Sequence, residues 1–222
     1  MNIHSVALTA VPRRDSTPGP KRDAILRAAI DVFADRGFFS AQVADVARAA
    51  GVAAGTVYLY FKSKDDLLVS IFDRSMREGL TLGRAAVADL DDPRERLRRL
   101  ARAHLARLGG DRNLAIVFQV ELRQSTKFME RFSSTLLRDY LGLIRDAIAD
   151  GQRAGIFRTD IKATVAAKIF FGALDEMATN WILSSRKYSL VSQADAIVDL
   201  FVGGAAAPDP VRAARARKAK RA

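Results

Sequence analysis

The sequence predicts an all-α protein, and two observations support that prediction. Apolar residues recur at i, i+3, i+4 and i+7 over most of the 222 residues, which is the spacing of one helix face. Alternation of apolar and polar residues, which marks half-buried strands, is scarce. We expect about nine helices, with a small N-terminal unit of three helices followed by a larger helical unit.

The first helix is expected after Pro18, beyond a flexible segment at 1–20, and ends at Gly37, a glycine of the kind that follows helices. A short helix at about 43–50 closes at Gly51, and another occupies about 54–60. A long helix then begins at Ser63, since Asp66 three residues later completes a capping box. Its start separates the two units at 66/67.

The larger unit has similar start signals. Asp92 followed by Pro93 marks a helix start, and Asp160 is in place to cap another. We predict the helices of this unit at about 93–108, through 116–120, from 125 to 154, 162–184 and 192–202.

Composition excludes several classes of site and protein. There is no cysteine, which rules out disulfides, thiolate metal sites and thiol nucleophiles. His4 and His104 lie too far apart to form a metal cluster by themselves, so no metal site is expected. There is no apolar run of 18 residues, and the opening places its charges after a weakly apolar stretch. We expect a cytoplasmic protein that makes no membrane contact.

The net charge of +11 indicates a polyanionic partner such as nucleic acid. Almost all of the excess lies at the two ends. Residues 1–64 hold nine Lys and Arg against five Asp and Glu, and residues 208–222 hold six against one. Residues 205–222 lack apolar periodicity and are predicted to be a disordered basic tail, which either improves solubility or contacts DNA phosphates.

The segment 43–64 reads VADVARAAGVAAGTVYLYFKSK. A short apolar-faced helix, a glycine at the turn and a second short helix are the parts of a helix-turn-helix, which enters the major groove of DNA. Gly51 supplies the positive φ of the turn. Small side chains at the start of the second helix let its backbone approach the bases. Hydroxyl groups further along the helix, and the ammonium group of a lysine after it, are able to donate to phosphates or base edges. These residues are Ala53, Ala54, Gly55, Thr56, Tyr58, Tyr60 and Lys64.

The run GVAAGTVYLYFKSKDDLL resembles the DNA-binding signature of the TetR family of bacterial repressors, and the likeness extends through DAILRAAIDVFADRGF. The resemblance implies a DNA-binding domain at 21–66 and a homodimer on palindromic operator DNA. It places Tyr60 and Lys64 on phosphates, and Ala54, Gly55, Thr56 and Tyr58 on bases. An alternative makes the two tyrosines core aromatics.

Two positions depart from the family pattern. Ala41 and Gln42 stand where the family usually has paired threonines, and Ala53 replaces a serine. Gln42 is able to keep the phosphate contact, whereas the methyl group of Ala53 is not.

Residues 67–204 are expected to bind a ligand and to dimerise. Large apolar side chains, Phe118, Tyr140 and Trp181 among them, exceed the need of a thin bundle, so they line a hydrophobic channel or belong to the core. The stretch from ELRQST to RTDI, with FFGALDEMATNWILSSRKYSL, is similar to the fatty-acid-degradation repressors of the TetR family. That resemblance implies release from DNA by long-chain acyl-coenzyme A as effector, and no cofactor.

Cations are expected to bind the phosphates of such an effector. Arg123 is the first candidate because its helix is otherwise apolar, although an ion pair with Glu121 or a neighbouring acid is as consistent with the sequence. Weaker candidates are Arg102, Arg107, Arg112 and Lys187.

Dimerisation is assigned to the last two helices, following the usual arrangement in the family. Their plausible contact residues also suit the core of one protomer; they are Phe170, Phe171, Leu174, Trp181, Ile197, Leu200 and Phe201.

Two other functions compete with this interpretation. An enzyme is disfavoured because there is no nucleophile elbow, phosphate-binding glycine loop or metal-ligand spacing, and His104 lies in an arginine-rich helix. The alternative is a TetR-like repressor for another hydrophobic molecule, a drug or lipid, that controls for example an efflux pump.

Overall fold

The computed structural model describes residues 19–124 and 135–206, and confirms the all-α class. No strand occurs in those two ranges, where nine α-helices and two 3₁₀ helices form the fold. The α-helices are α1 (Pro20–Arg36), α2 (Val43–Ala49), α3 (Ala54–Tyr60), α4 (Lys64–Val87), α5 (Pro93–Gly109), α6 (Arg112–Gln119), α7 (Thr135–Arg153), α8 (Ala163–Leu183) and α9 (Ala194–Ala205). The 3₁₀ helices are Glu121–Gln124 and Leu190–Gln193.

Side-chain caps begin several of the described helices. Ser63 Oγ accepts the Asp66 N–H at 3.1 Å, and the Asp66 carboxylate accepts the Lys62 N–H at 2.9 Å. Asp92 accepts the Arg94 N–H at 2.9 Å, so both predicted starts are confirmed. A cap that the sequence analysis did not identify is made by Asp111, which accepts the N–H of the third residue of α6 at 3.0 Å.

The predicted cap at Asp160 is wrong. The residue before α8 is Lys162, which makes no side-chain cap. The Asp160 carboxylate instead accepts two bonds from the Arg158 guanidinium, at 2.7 and 2.6 Å. The Asp160 carboxylate is therefore bonded to the guanidinium of a residue two positions away and not to the N–H groups at the start of α8. The last helix also differs from its predicted range, because 190–193 form a 3₁₀ turn before α9.

Some predictions fall outside the described residues. They are the flexible segment at 1–18, the helix start at Ser125 and the basic tail from 207 onward. None of the described helices combines the length and apolar character needed to cross a bilayer.

The buried residues form two apolar clusters. One is built from α1, α2, α3 and the first half of α4, and also includes Leu114 and Val117 of α6. The other is built mainly from α5, α7, α8 and α9. Met76, within α4, packs against both clusters. Because α4 runs through both without a break, the boundary at 66/67 stays a prediction.

The end of α7 is packed closely against the chain that follows it. A Cβ added at Gly151 would lie 2.2 Å from Cδ2 of the buried Phe157 ring. The Gly151 carbonyl also accepts the N–H groups of Ile156 and Phe157, at 2.8 and 3.1 Å. Glycine is thus required here by a close approach, and the turn holds Phe157 in the core.

We expect Gly151→Ala to lower the free energy of unfolding by about 1–3 kcal/mol, because the new methyl group overpacks against Phe157. Urea denaturation at fixed protein concentration measures the change. Gly142→Ala, in the same helix with only an arginine tip 3.7 Å away, is the control. It should leave stability unchanged or raise it by up to about 1 kcal/mol. Equal stability of the two variants would contradict the packing described.

Candidate DNA interface and ligand cavity

The helix-turn-helix has the backbone that the sequence predicts. Gly51 adopts φ 67°, a left-handed conformation that suits glycine. The turn is closed by a bond of 3.0 Å from the Val52 N–H to the Ala47 carbonyl. Val46, Ala47 and Val57 are buried between α1, α2 and α3. The pair of short helices is therefore held rigidly against α1.

The outer face of α3 is open to solvent. Tyr58 is 55% exposed and Leu59 is 83% exposed, whereas Val57 between the helices is 1% exposed. Tyr60 is also exposed, so the alternative that places the tyrosines in the core is wrong. Ala53, Ala54 and Gly55 present bare backbone at the start of the helix, and Thr56 is half-buried. This face is free to meet a flat or grooved partner.

An open groove brings several predicted residues together. It runs between the start of α2, the side of α3 and the start of α4, and it is lined by Ala41, Gln42, Val43, Ala44, Ala54, Tyr58, Lys62, Ser63 and Lys64. Lys62 was missed by the sequence analysis. Its signal was available, since it is the first of two lysines in the run FKSK.

Lys64 has a structural role that the sequence did not predict. Its Nζ donates to the carbonyl oxygens of Phe39, at 3.0 Å, and Ala41, at 2.9 Å. The same ammonium lies 4.7 Å from the centroid of the Phe38 ring. It therefore ties the first turn of α4 to the loop between α1 and α2, with one N–H left for a phosphate.

A second, narrow cavity lies between α4, α5, α6, α7 and α8. The volume open to a water-sized sphere is about 50 Å³. It contains the predicted ligand residues Phe118, Tyr140 and Arg123, together with Arg107. The other lining residues are Ser75, Met76, Gly79, Leu82, Ala103, His104, Leu108, Gln119, Phe171 and Asp175.

Most polar groups of this cavity are paired. Asp175 of α8 accepts from Gln119 Nε2 at 2.8 Å and from Arg123. Arg123 is thus both a cavity residue and a member of an ion pair, with Asp175 as the acid. Arg107 donates to Glu78 at 3.0 Å. Two guanidinium groups therefore flank an otherwise largely apolar space.

His104 and Tyr140 form a pair inside the cavity. His104 Nδ1 lies 3.1 Å from the Tyr140 hydroxyl oxygen, and the Phe171 ring meets both rings edge-on. Burial lowers the pKa of His104 to about 4, so the imidazole is neutral at pH 7. Burial also raises the pKa of Tyr140, which keeps its hydroxyl protonated. The pair therefore places polar but uncharged groups in the cavity.

Two predicted ligand residues lie elsewhere. Trp181 is buried in the core, where its Nε1 donates to the Tyr188 carbonyl at 3.0 Å. Arg102 faces solvent and holds Asp195 of α9 with two bonds of 3.0 and 2.7 Å. Among the weaker candidates, Arg112 donates to two carbonyls at the end of α8. Each of these three side chains is committed to a contact outside the cavity.

The cavity shares a wall with the DNA-binding unit. The Phe118 ring, which lines the cavity, stacks on Phe72 with 4.6 Å between centroids. Just beyond α6, the buried carboxylate of Glu121 accepts the Phe38 N–H at 2.6 Å. α6 therefore contacts the core beneath α1, and the residue two positions beyond its end is bonded to the loop that precedes α2.

Comparison with known proteins agrees with this architecture. Residues 25–71 match the model of the family "Bacterial regulatory proteins, tetR family", and residues 72–204 match "YsiA-like protein, C-terminal region". The chain is 35% identical to the fatty acid metabolism regulator protein of Bacillus subtilis, over 83% of this chain and 95% of that protein. The chain belongs to the TetR family.

Solved structures agree with the assignment. The fatty acid degradation regulator FadR of Bacillus halodurans superposes with a TM-score of 0.80 at 38% identity, covering 85% of this chain and 97% of that one. FadR of Bacillus subtilis, solved in complex with stearoyl-CoA, gives a TM-score of 0.78 at 34% identity, covering 82% and 98%. This TetR-family protein is therefore a transcriptional regulator, like its relatives, and not an enzyme.

The two lysines of the groove should respond differently to substitution. Lys62→Ala should leave the melting temperature unchanged and reduce the slope of log affinity against log salt by about 1, since one phosphate contact is lost. Lys64→Met should lower the free energy of unfolding by about 1–3 kcal/mol, because two charge-assisted bonds to carbonyls are lost.

Thermal melting and DNA titrations over a range of salt, on the fragment upstream of the protein's own gene, measure both effects. If Lys64→Met melts at the same temperature as the unmodified protein, the two bonds from Lys64 to the loop carbonyls contribute nothing measurable to stability.

Proposed function

We propose that this protein represses genes of fatty-acid degradation and leaves its operator when it binds a long-chain acyl-CoA. The observation that carries the proposal is that Phe118 belongs both to the cavity wall and to the core beneath the helix-turn-helix. The relative solved with stearoyl-CoA supports the choice of ligand. The repressor would act in the cytoplasm on a palindromic operator.

The small volume of the cavity supports a change of conformation on ligand binding. Small-molecule sites usually enclose about 300–1,000 Å³, whereas this cavity is open over about 50 Å³. A long acyl chain must therefore push the surrounding helices apart. Because α6 is one of them, entry of the chain would shift the helix on which α1 and the α1–α2 loop rest.

The charged residues suit an anionic head group. Arg123 is 43% exposed at its side chain and is paired with Asp175, and Arg107 is paired with Glu78. Phosphate is a strong bidentate partner for guanidinium, so a nucleotide head group would compete with Asp175 for Arg123. To move the protein from mostly bound to mostly released, the ligand must favour the released state by about 5.5 kcal/mol. Contacts of the head group would add to the part of this free-energy difference that comes from the acyl chain.

A homodimer is proposed through α8 and α9. Ile169 of α8 is 57% exposed and Leu200 of α9 is 82% exposed, and Val165 and Leu183 of α8 are exposed as well. Phe170, Leu174 and Trp181, which the sequence offered as contacts, are buried within the protomer. A dimer would bring two α3 helices to the two halves of a palindrome.

The main test is an electrophoretic mobility assay on the upstream DNA with palmitoyl-CoA, free palmitate and free CoA. Release by palmitoyl-CoA alone is the expected result. If none of the three releases the DNA, the hypothesis of an acyl-CoA effector is wrong. A different hydrophobic effector, such as a drug, then becomes the hypothesis to test.

Arg123→Ala should weaken palmitoyl-CoA binding by about tenfold, since one charge-assisted contact is lost, and should leave DNA affinity without ligand nearly unchanged. Arg102→Ala is the matched control, because Arg102 pairs with Asp195 outside the cavity. Titration calorimetry compares the two. An equal loss in both variants would argue against a head-group site at Arg123.

Ile169→Glu should convert the protein to a monomer, because a carboxylate would be buried without a partner in the proposed interface. Sedimentation velocity reports the mass. Ala85→Glu adds the same charge at an exposed position of α4 and should remain dimeric. A dimeric Ile169→Glu protein would refute the assignment of the interface to α8.

A further inference from the structure

Two polar atoms of the cavity stand out because no partner satisfies them. Ser75 is 3% exposed, and its Oγ forms no hydrogen bond among the described residues. His104 Nε2 is likewise buried and without a partner in that part of the chain. Both side chains line the same cavity, on α4 and α5. Buried polar atoms are rarely left unpaired, so a pair of them in one cavity points to a bound group.

The contact on the other side of the imidazole determines what Nε2 offers. The neutral ring carries one proton, and Nδ1 faces the Tyr140 hydroxyl. A phenol is a more acidic donor than a neutral imidazole N–H, and Nδ1 is the acceptor within its reach. Tyr140 therefore donates to Nδ1, which leaves the ring proton on Nε2. An N–H donor then faces the cavity.

The hydroxyl of Ser75 is a second donor with no acceptor. Met76, Leu108 and Phe171, which line the same cavity, surround the two donors with apolar surface. Arg107 and Arg123 also line the cavity, but each is paired with a carboxylate, that of Glu78 and that of Asp175. With those charges paired, the apolar surface favours a neutral acceptor over a charged one, because an ion pays a far larger desolvation cost. The chemistry that fits is a carbonyl oxygen attached to an apolar chain.

We propose that Ser75 and His104 form a subsite that binds the acyl carbonyl oxygen of the effector, and that Tyr140 positions the imidazole. This inference rests on the proposed acyl-CoA function. It names the part of the ligand recognised by hydrogen bonds, apart from the head group at Arg123. A fatty-acyl thioester and a free fatty acid share this carbonyl. The carboxylate of the free acid would bind less well because it is charged.

The test compares two CoA ligands that differ only at the carbonyl group, together with a free fatty acid. Calorimetry on the full-length protein uses palmitoyl-CoA, S-hexadecyl-CoA, in which a CH₂ replaces the carbonyl, and free palmitate. The unmodified protein should bind the thioester about tenfold more tightly than the thioether, as expected for two net hydrogen bonds. Palmitate should bind more weakly than the thioester.

Variants connect this preference to the two donors. Ser75→Ala and His104→Phe should each bring the thioester-to-thioether ratio toward one, while affinity for the thioether stays the same. Ser70→Ala, in the same helix but outside the cavity, should keep the tenfold ratio. Equal binding of both CoA ligands by the unmodified protein overturns the subsite and leaves the acyl-CoA function intact. Binding of neither overturns both.

A second measurement does not depend on the ligand. The chain has two histidines, His4 and His104, so nitrogen-15 spectra of histidine-labelled protein are simple to assign with His4→Gln. His104 should be neutral with its proton on Nε2, and palmitoyl-CoA should shift that nitrogen. A proton on Nδ1 instead would remove the donor and overturn the subsite.

Discussion

The packing of α6 between the two apolar clusters is the contact on which the proposed link between the cavity and the helix-turn-helix depends. Leu114 and Val117 point into the cluster beneath α1, and Ala115 on the other side points into the larger cluster. Phe118 adds the stack on Phe72 and a wall of the cavity. Since close-packed interiors transmit displacement instead of absorbing it, α6 has little freedom to move without moving α1.

The strength of the ion pairs decides which contacts a ligand can change. Arg123 is 43% exposed at its side chain, whereas its partner Asp175 is 18% exposed and also accepts from Gln119. Under the proposed function, a phosphate would compete with Asp175 for the partly exposed guanidinium of Arg123. Glu121 differs, because its carboxylate is buried and receives the Phe38 N–H. That contact is expensive to break, so it is suited to carry movement to the DNA-binding unit.

The DNA-facing surface is made of small and aromatic groups on a braced loop. Lys64 holds the carbonyls of Phe39 and Ala41, which fixes the approach of the chain to α2. Tyr58 and Leu59 then project from a helix whose inner side is anchored by Val57. With few side chains able to make bidentate bonds to bases, we expect recognition by this surface to rely partly on DNA shape and on apolar contact with thymine methyl groups.

The sequence by itself determined the features that depend on neighbouring residues: the caps at Ser63 and Asp92, the turn at Gly51 and the helical period. These are local because a cap or a turn involves groups within about one helical turn. Only the tertiary structure decided that Arg123 meets Asp175, that Lys64 braces a loop 25 residues away, and that Trp181 serves the core. Such roles depend on which helices become neighbours, and a helix period states which face is buried without stating against what.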